Sequence, residues 1–380
     1  MAKRSRDRCV LAAALLLALV APQAAQALAA PASNAGVYAL NSVASTQPLP
    51  TAAYSSSYID GVTLVFYWNA VEPQDGVYDW TAVDSQIAAA AALGKKVNLG
   101  VLPGVFAPSW LYGEGAAQFQ MLWTAAGWGF PLCSMVPLPL PWDPVYQSKW
   151  LAFIAQLGQR YAANPSVVML KIQGVNSSTP ELFLPYSRPT GSGVDSTGCQ
   201  EVDNVAAWLA AGYRPSLIVT AWKTFAKAYA TSFPGKYLIL ESGTWPLPPI
   251  TNSGSTAPFY GGDYHTPQTL IAVGAAVVGK YFVSQNDQLT AIYNWPRPAN
   301  LPLTDEFAYQ TAWNVDQDPT CRMNGGVQPC DPATVMGETV TRALTAATTY
   351  LEVYSTDAQD ASEAAALTIA HDALTAAPAP

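Results

Sequence analysis

Apolar residues in this chain gather into short unbroken runs, and between the runs they recur at helical spacing. The runs at 61–68, 96–102 and 167–173 are near-continuous hydrophobic segments of strand length, the signature of strands buried on both faces. Weaker runs of the same type lie at 36–40, 237–240, 281–284, 307–313 and 348–354. Trp150, Phe153, Ile154, Leu157 and Tyr161 fall on one helical face. Asp143 caps that helix, Pro144 opens its first turn, and Asn164-Pro165 stops it. Further helices are predicted from near Asp79 to Gly94, and over 213–233, 267–279 and 334–347. Strands that alternate with helices predict a parallel sheet. Eight such units fit a closed barrel. A doubly wound open sheet is the alternative, but no Gly-rich phosphate loop follows the first strand.

The pattern divides the chain. Residues 1–29 carry Lys3, Arg4, Arg6 and Arg8, then an apolar core over 10–21, then Ala25-Gln26-Ala27 or Ala27-Leu28-Ala29 as a small-residue cleavage site. This predicts a secretory signal peptide, its core too short for a spanning helix. Residues 30–57 form an N-terminal segment with the first strand. Residues 58–360 are the predicted barrel, and 361–380 read as a flexible Ala-rich tail. No internal repeat is found. The expected fold is α/β, a (β/α)8 TIM barrel with long strand-to-helix loops, among them 112–142 and 186–204, on which the choice between a pocket and a groove depends.

Charge and cysteines narrow the context. The formal net charge is −8, and it falls to −11 once residues 1–29, with four cations and Asp7, are removed. An acidic chain without a basic cluster argues against nucleic acid and anionic membranes as partners. No other long apolar run promises a membrane span, so a secreted or periplasmic protein is expected. Cys133, Cys199, Cys321 and Cys330 remain after Cys9 leaves with the leader. An even count in an exported chain suggests two disulfides. Three pairings are open. Cys321–Cys330 is preferred because it closes a short loop, which leaves Cys133–Cys199 to tie together the loops after the third and fourth strands.

In a barrel, function collects at the carboxyl ends of the strands. Those exits read Trp68 and Glu72; Pro103 and Trp110; Gln173, Asn176 and Glu181; Glu241 and Trp245; Gln285, Asn286 and Asp287; Gln310 and Trp313; Glu352, Tyr354 and Asp357. Amides and carboxylates hydrogen-bond sugar hydroxyls, and aromatic rings stack on pyranose faces. A phosphate site would want cations or a glycine loop. There is no Gly-x-Ser-x-Gly elbow. The only histidines are His265, in a turn, and His371, in the tail. No metal-ligand spacing appears. Neither a metal nor another cofactor is expected, and a carbohydrate is the expected partner.

Two segments carry a family resemblance. Trp68-Asn69-Ala70-Val71-Glu72-Pro73, followed by Gly76 and Tyr78-Asp79-Trp80, resembles the second βα unit of (β/α)8-barrel glycosidases of the beta-galactosidase and endoglycanase type. Pro108-Ser109-Trp110-Leu111 resembles the motif after their third strand. The likeness is strongest over 58–185. It implies a secreted glycoside hydrolase that cleaves O-glycosidic bonds with two carboxyl groups, one of them protonated as the acid. It puts that acid at the end of the fourth strand. The local sequence lacks the adjacent Asn-Glu of many relatives, but a Gly-x-Asn…Glu form, Gly174-Val175-Asn176 to Glu181, makes Glu181 the candidate. A loop carboxylate paired with Arg188 is the bland alternative. The family's nucleophile position on the seventh strand falls at Gln310, which is no carboxylate. Glu241, Glu352 and Glu306 stay open as substitutes, as does the absence of a second catalytic carboxylate; the chain would then be a non-catalytic carbohydrate-binding barrel. Trp68, Trp110, Gln173, Asn176, Trp245, Gln310 and Trp313 are the candidate substrate contacts. Glu72 is expected to hold its own corner rather than to react.

Overall fold

The structure, a computed structural model, describes residues 33–41, 47–126, 129–243, 246–256, 262–299, 301, 305–316 and 318–376. The expected signal peptide, Trp128 and the candidate contact Trp245 lie outside the described residues.

The described residues contain ten strands: β1 (Gly36–Leu40), β2 (Gly61–Tyr67), β3 (Lys96–Leu102), β4 (Gln118–Leu122), β5 (Met135–Pro139), β6 (Val167–Lys171), β7 (Tyr237–Ser242), β8 (Phe282–Leu289), β9 (Glu306–Thr311) and β10 (Tyr350–Tyr354). All but β4 and β5 close into a parallel barrel in the order β1-β10-β9-β8-β7-β6-β3-β2. The seam joins the two ends of the chain, with Gly36 opposite Tyr350 and Leu40 opposite Tyr354. This is the (β/α)8 architecture. The long 112–142 loop is not wholly irregular, since β4 and β5 pair in it as an antiparallel hairpin.

The helices are α1 (Trp68–Val71), α2 (Thr81–Ala92), α3 (Ser109–Gly113), α4 (Pro144–Tyr161), α5 (Asn204–Ala210), α6 (Pro215–Ser232), α7 (His265–Val278), α8 (Pro332–Thr345), α9 (Ser355–Gln359) and α10 (Ala364–Thr375). Two helix starts use one device: an Asp side chain accepts from a backbone N–H of the first turn, and a Pro follows it where a missing N–H costs nothing. Asp143 accepts from Tyr146 N at 2.9 Å, and Asp331 from Thr334 N at 2.9 Å. On α6 the residues Ile218, Ala221, Trp222, Phe225, Ala226 and Tyr229 are buried, a stripe at spacings of three and four that faces the barrel.

The barrel interior is read from strand parity. A small apolar cluster, separate from the helix-facing core, contains Tyr38, Met169, Ile239, Val283, Ala308 and Tyr350. Side chains two positions apart on a strand share a face. The next interior layer is therefore Leu40, Lys171, Glu241, Gln285, Gln310 and Glu352. One step along the strands turns the plug from apolar to charged, at the carboxyl-end mouth.

Both disulfides form in the preferred pairing, Cys133–Cys199 and Cys321–Cys330. The C-terminal segment departs from expectation. In place of a flexible tail, α10 buries Ala366, Leu367, Ala370 and Leu374 and packs on α8 and β1. His371 Nδ1 lies 2.9 Å from Asp60 Oδ2, and the same oxygen accepts from Val37 N at 2.9 Å. Alanine-rich composition reads as slack when the few larger residues are overlooked; here Leu367 and Leu374, one helical face, supply the anchor. Leu367→Ala is expected to lower unfolding free energy by about 2–5 kcal/mol in urea denaturation. A change below about 0.5 kcal/mol would mean that the segment is loose after all.

Candidate active site

The loop after β6 is built to present Glu181. Gln173 donates its amide to Pro180 O at 2.9 Å. Asn176 accepts from Gly174 N at 3.2 Å and donates to Thr179 O at 3.1 Å. Ser177 O accepts from Val105 N at 2.8 Å. Gly104, with φ of +39°, allows that approach, because a Cβ there would sit 1.8 Å from Ser177 O. Leu182 N then donates to Glu241 O at 3.0 Å, which pins the loop to the end of β7. Gln173 and Asn176 thus spend their amides on the loop, and neither lines the cavity described next.

That cavity opens at the carboxyl-end mouth and holds about 600 Å³, a size suited to small ligands. Glu181, Glu241 and Asp287 line it, together with Lys171, Thr179, Gln310, Trp313, Arg322 and Tyr354. Glu181 accepts from Thr179 Oγ1 at 3.3 Å. Burial pushes its carboxyl up to about 7, against the smaller pull of Thr179 and Lys171. Arg188 does not pair with it; that guanidinium donates to Thr256 instead.

Glu241 is buried against the Lys171 ammonium and accepts from Gln285 Nε2 at 3.1 Å. Its other oxygen has no partner among the described residues. Burial raises it to about 7; Lys171 opposes that, while Glu352 and Glu181 add to it. Lys171 itself is held charged above the usual lysine value, because Glu241 and Glu352 outweigh its desolvation.

Glu352 differs. It accepts from Thr63 Oγ1, from Asn98 Nδ2 at 2.7 Å, from Gln285 Nε2 at 2.9 Å and from Lys171 Nζ at 3.3 Å. It is fully buried and off the cavity wall. This is the arrangement of a structural anion, in which every lone pair is used to keep a buried charge tolerable. Glu306 is the first residue of β9, at the opposite end of the barrel, where Asn34 donates to it.

The tryptophans separate in the same way. Trp68 is fully buried and donates to Glu72 Oε2 at 2.7 Å. Trp110 donates to Glu72 O at 3.0 Å and packs edge-on against Trp68. Glu72 also accepts from Gly76 N at 2.9 Å, so the Trp–Glu–Pro corner is a bracing device, and neither indole lines the cavity. An indole at a strand exit can satisfy its N–H on a carboxylate and turn into the helix layer, which the sequence pattern does not distinguish from a platform. Trp313 does line the cavity, 40% exposed, with the Arg322 guanidinium 3.6 Å from its ring centroid. Gln310 is on the same wall, its Nε2 3.5 Å from the Tyr354 hydroxyl.

Lys171 and Asp287 line the cavity but are not among the candidate site residues read from the sequence, where Asp287 is named only as a strand-exit residue. Lys171 is the last residue of the apolar strand β6. Its parity with Met169 was the available signal. Asp287 lies on β8, which runs to Leu289 rather than stopping at Ser284, so Gln285 and Asp287 share the interior face. His265 sits at the start of α7 in a separate depression with Asp263 and Tyr264, where Asp263 Oδ1 accepts from His265 N and Thr266 N.

The raised carboxyls fix the sign of a pH effect. Between the ordinary value of 4.5 and about 7 the folded state holds protons on Glu181 and Glu241 that the unfolded chain has released. Stability is therefore greatest at the acid end of that window and falls as pH rises through it. Denaturation midpoints across the window should show this slope, and Glu241→Gln should flatten it; an unchanged slope in that variant would remove Glu241 as its source.

Comparison with known proteins gives a consistent picture. A family model described as beta-galactosidase matches residues 58–176. No curated protein matches the chain. Among solved structures, the catalytic domain of a beta-amylase from Paenibacillus polymyxa is similar at 11% identity and a TM-score of 0.57, over 90% of this chain and 99% of that one. A beta-galactosidase from Marinomonas ef1 is similar at 13% identity and a TM-score of 0.53, over 89% of this chain but 59% of that one. A beta-galactosidase from Halorubrum lacusprofundi gives 11% identity and a TM-score of 0.50, over 90% of this chain and 58% of that one. The chain thus spans under two thirds of these beta-galactosidases. It has the (β/α)8 fold that these glycosidases share, and within residues 58–176 it is similar to the beta-galactosidase family.

Proposed function

We propose that this protein is an exported glycoside hydrolase that cleaves O-glycosidic bonds with Glu181 as general acid and Glu241 as the second carboxyl group. The observation that carries the reading is that both line one cavity at the carboxyl-end mouth of the barrel, with Trp313 on its wall. Their surroundings set them to different roles. Glu181 has no cation in direct contact, and a carboxyl raised to about 7 keeps its proton at mildly acid and neutral pH. Glu241 touches the Lys171 ammonium, which favours its ionised form as protons leave the cluster. Glu181 passes its proton to the glycosidic oxygen as the C–O bond breaks. Glu241 meets the positive charge that grows on the anomeric carbon, where an anion stabilises the transition state more than the ground state. Glu352, the third candidate, is assigned to holding Lys171 and the strands in place.

Export is part of the reading, and the two disulfides support it. Among the described residues no helix is long and apolar enough to cross a membrane. The substrate is an oligo- or polysaccharide. A non-catalytic carbohydrate-binding barrel is the second reading, favoured by Gln310 at the family's nucleophile position.

A screen of aryl-glycosides and polysaccharides with wild type, Glu181→Gln and Glu241→Gln tests this. Each variant should lose about 10²- to 10⁴-fold in kcat while staying folded, and wild-type activity should peak near pH 7, rising as Glu241 loses its proton and falling as Glu181 loses its own. Full activity in Glu181→Gln would refute its assignment. Glycan binding without cleavage of any substrate would establish the second reading.

A further inference from the structure

The cluster beneath the cavity has fewer hydrogen-bond donors than its carboxyl groups need. Tyr350 donates its hydroxyl to Gln285 Oε1, which orients the amide so that its NH₂ faces the acids. Gln285 Nε2 then lies 2.7 Å from Asp287 Oδ1, 2.9 Å from Glu352 Oε2 and 3.1 Å from Glu241 Oε1. An amide nitrogen carries two hydrogens, so it cannot serve three carboxylates fully.

The remaining donors are unevenly shared. Glu352 has Thr63, Asn98 and Lys171. Glu241 has Lys171. Asp287 has nothing but its share of Gln285, and its Oδ2 is buried without a partner among the described residues. A buried carboxylate in that state is costly, and taking up a proton removes the cost. The charged and titratable groups around it are Lys171 on β6, Glu241 on β7, Tyr350, Glu352 and Tyr354 on β10, Glu181 on the loop after β6 and Arg322 on the cavity wall. Of the two cations, Lys171 contacts Glu241 and Glu352, and Arg322 pairs with Asp318 and lies over Trp313.

We propose that Asp287 stands in the free protein as a neutral carboxylic acid and donates its hydrogen to an oxygen of the bound sugar, as a third acidic contact beside Glu181 and Glu241. Asp287 lines the cavity, so ligand can supply the partner that the protein does not. Burial and the neighbouring Glu241 and Glu181 push its carboxyl well above the ordinary range, with Lys171 opposing. In this role it fixes substrate orientation and takes no part in proton transfer to the leaving group.

The sugar contact rests on the glycoside hydrolase reading; the protonation state does not, and the two are tested separately. In protein labelled with ¹³C at aspartate carboxyls, the signal that vanishes in Asp287→Asn should stay at its protonated position from pH 5 to 8 (roughly, the window over which ordinary aspartate is ionised). A signal that titrates like an exposed aspartate would overturn the proposal. On any substrate that wild type cleaves, Asp287→Asn keeps a neutral donor and should retain kcat/KM within about 5-fold, while Asp287→Ala should lose about 10- to 100-fold, the worth of one hydrogen bond to a buried partner. If Asn costs as much as Ala in folded protein, the group is needed as an anion and the donor role fails. If no glycoside is cleaved or bound but the ¹³C signal behaves as stated, the protonation stands and the hydrolase reading is what fails.

Discussion

A single ammonium group organises the working end of this barrel. Lys171 is buried with Glu241 on one side and Glu352 on the other. Taking three charges out of water is expensive, and the arrangement is tolerable only because the carboxylates also collect donors from Thr63, Asn98 and Gln285. These partners come from β2, β3 and β8, none of which pairs with β10, so the network ties Glu352 to strands across the barrel interior. The polar layer rests on the apolar cluster of Tyr38, Met169, Ile239 and Val283 beneath it. Water is thereby excluded from below, and the fields of the charges act upward, into the cavity.

The same ammonium makes the acids unequal. Among the described residues Glu352 is satisfied, Glu241 has one oxygen without a partner, and neither Glu181 nor Asp287 forms an ion pair. Burial raises Glu181, Glu241 and Asp287 against the opposing pull of Lys171, and their titrations are linked, since each proton taken up changes the field at the others. The Trp68–Glu72–Trp110 brace plays no part in this electrostatics. It secures the neighbouring corner, on which the β3 loop and, through Val105 and Ser177, the loop carrying Glu181 depend.

The barrel was legible because buried parallel strands are apolar on both faces, and the intervening helices carry caps such as Asp143-Pro144 that act locally. The disulfides followed from loop length and elimination. Legibility fell where the answer depended on partners distant in sequence. Trp68 and Trp110 match a sugar platform in type and position, but their indole N–H groups both answer to Glu72. Gln173 and Asn176 are of the residue types that bind hydroxyls, yet they bind backbone carbonyls of their own loop. Glu352 reads as a candidate like Glu241, but Thr63 and Asn98 converge on it from 289 and 254 residues away in sequence. Asp287 required only that β8 be drawn longer, after which strand parity alone would have turned it inward.

The seam between β1 and β10 bears on how the molecule assembles. Gly36 meets Tyr350 and Tyr38 meets Glu352, pairings between opposite ends of the chain, and α10 clamps β1 from outside. Closing the longest loop in a polypeptide costs the most chain entropy and gains native contacts last. Glu352 is itself a seam residue, so the carboxylate that anchors Lys171 is supplied by the same pairing that closes the ring. The charged layer and the closure of the barrel therefore stand together: without the seam, Lys171 and Glu241 would lack Glu352 and the donors that converge on it.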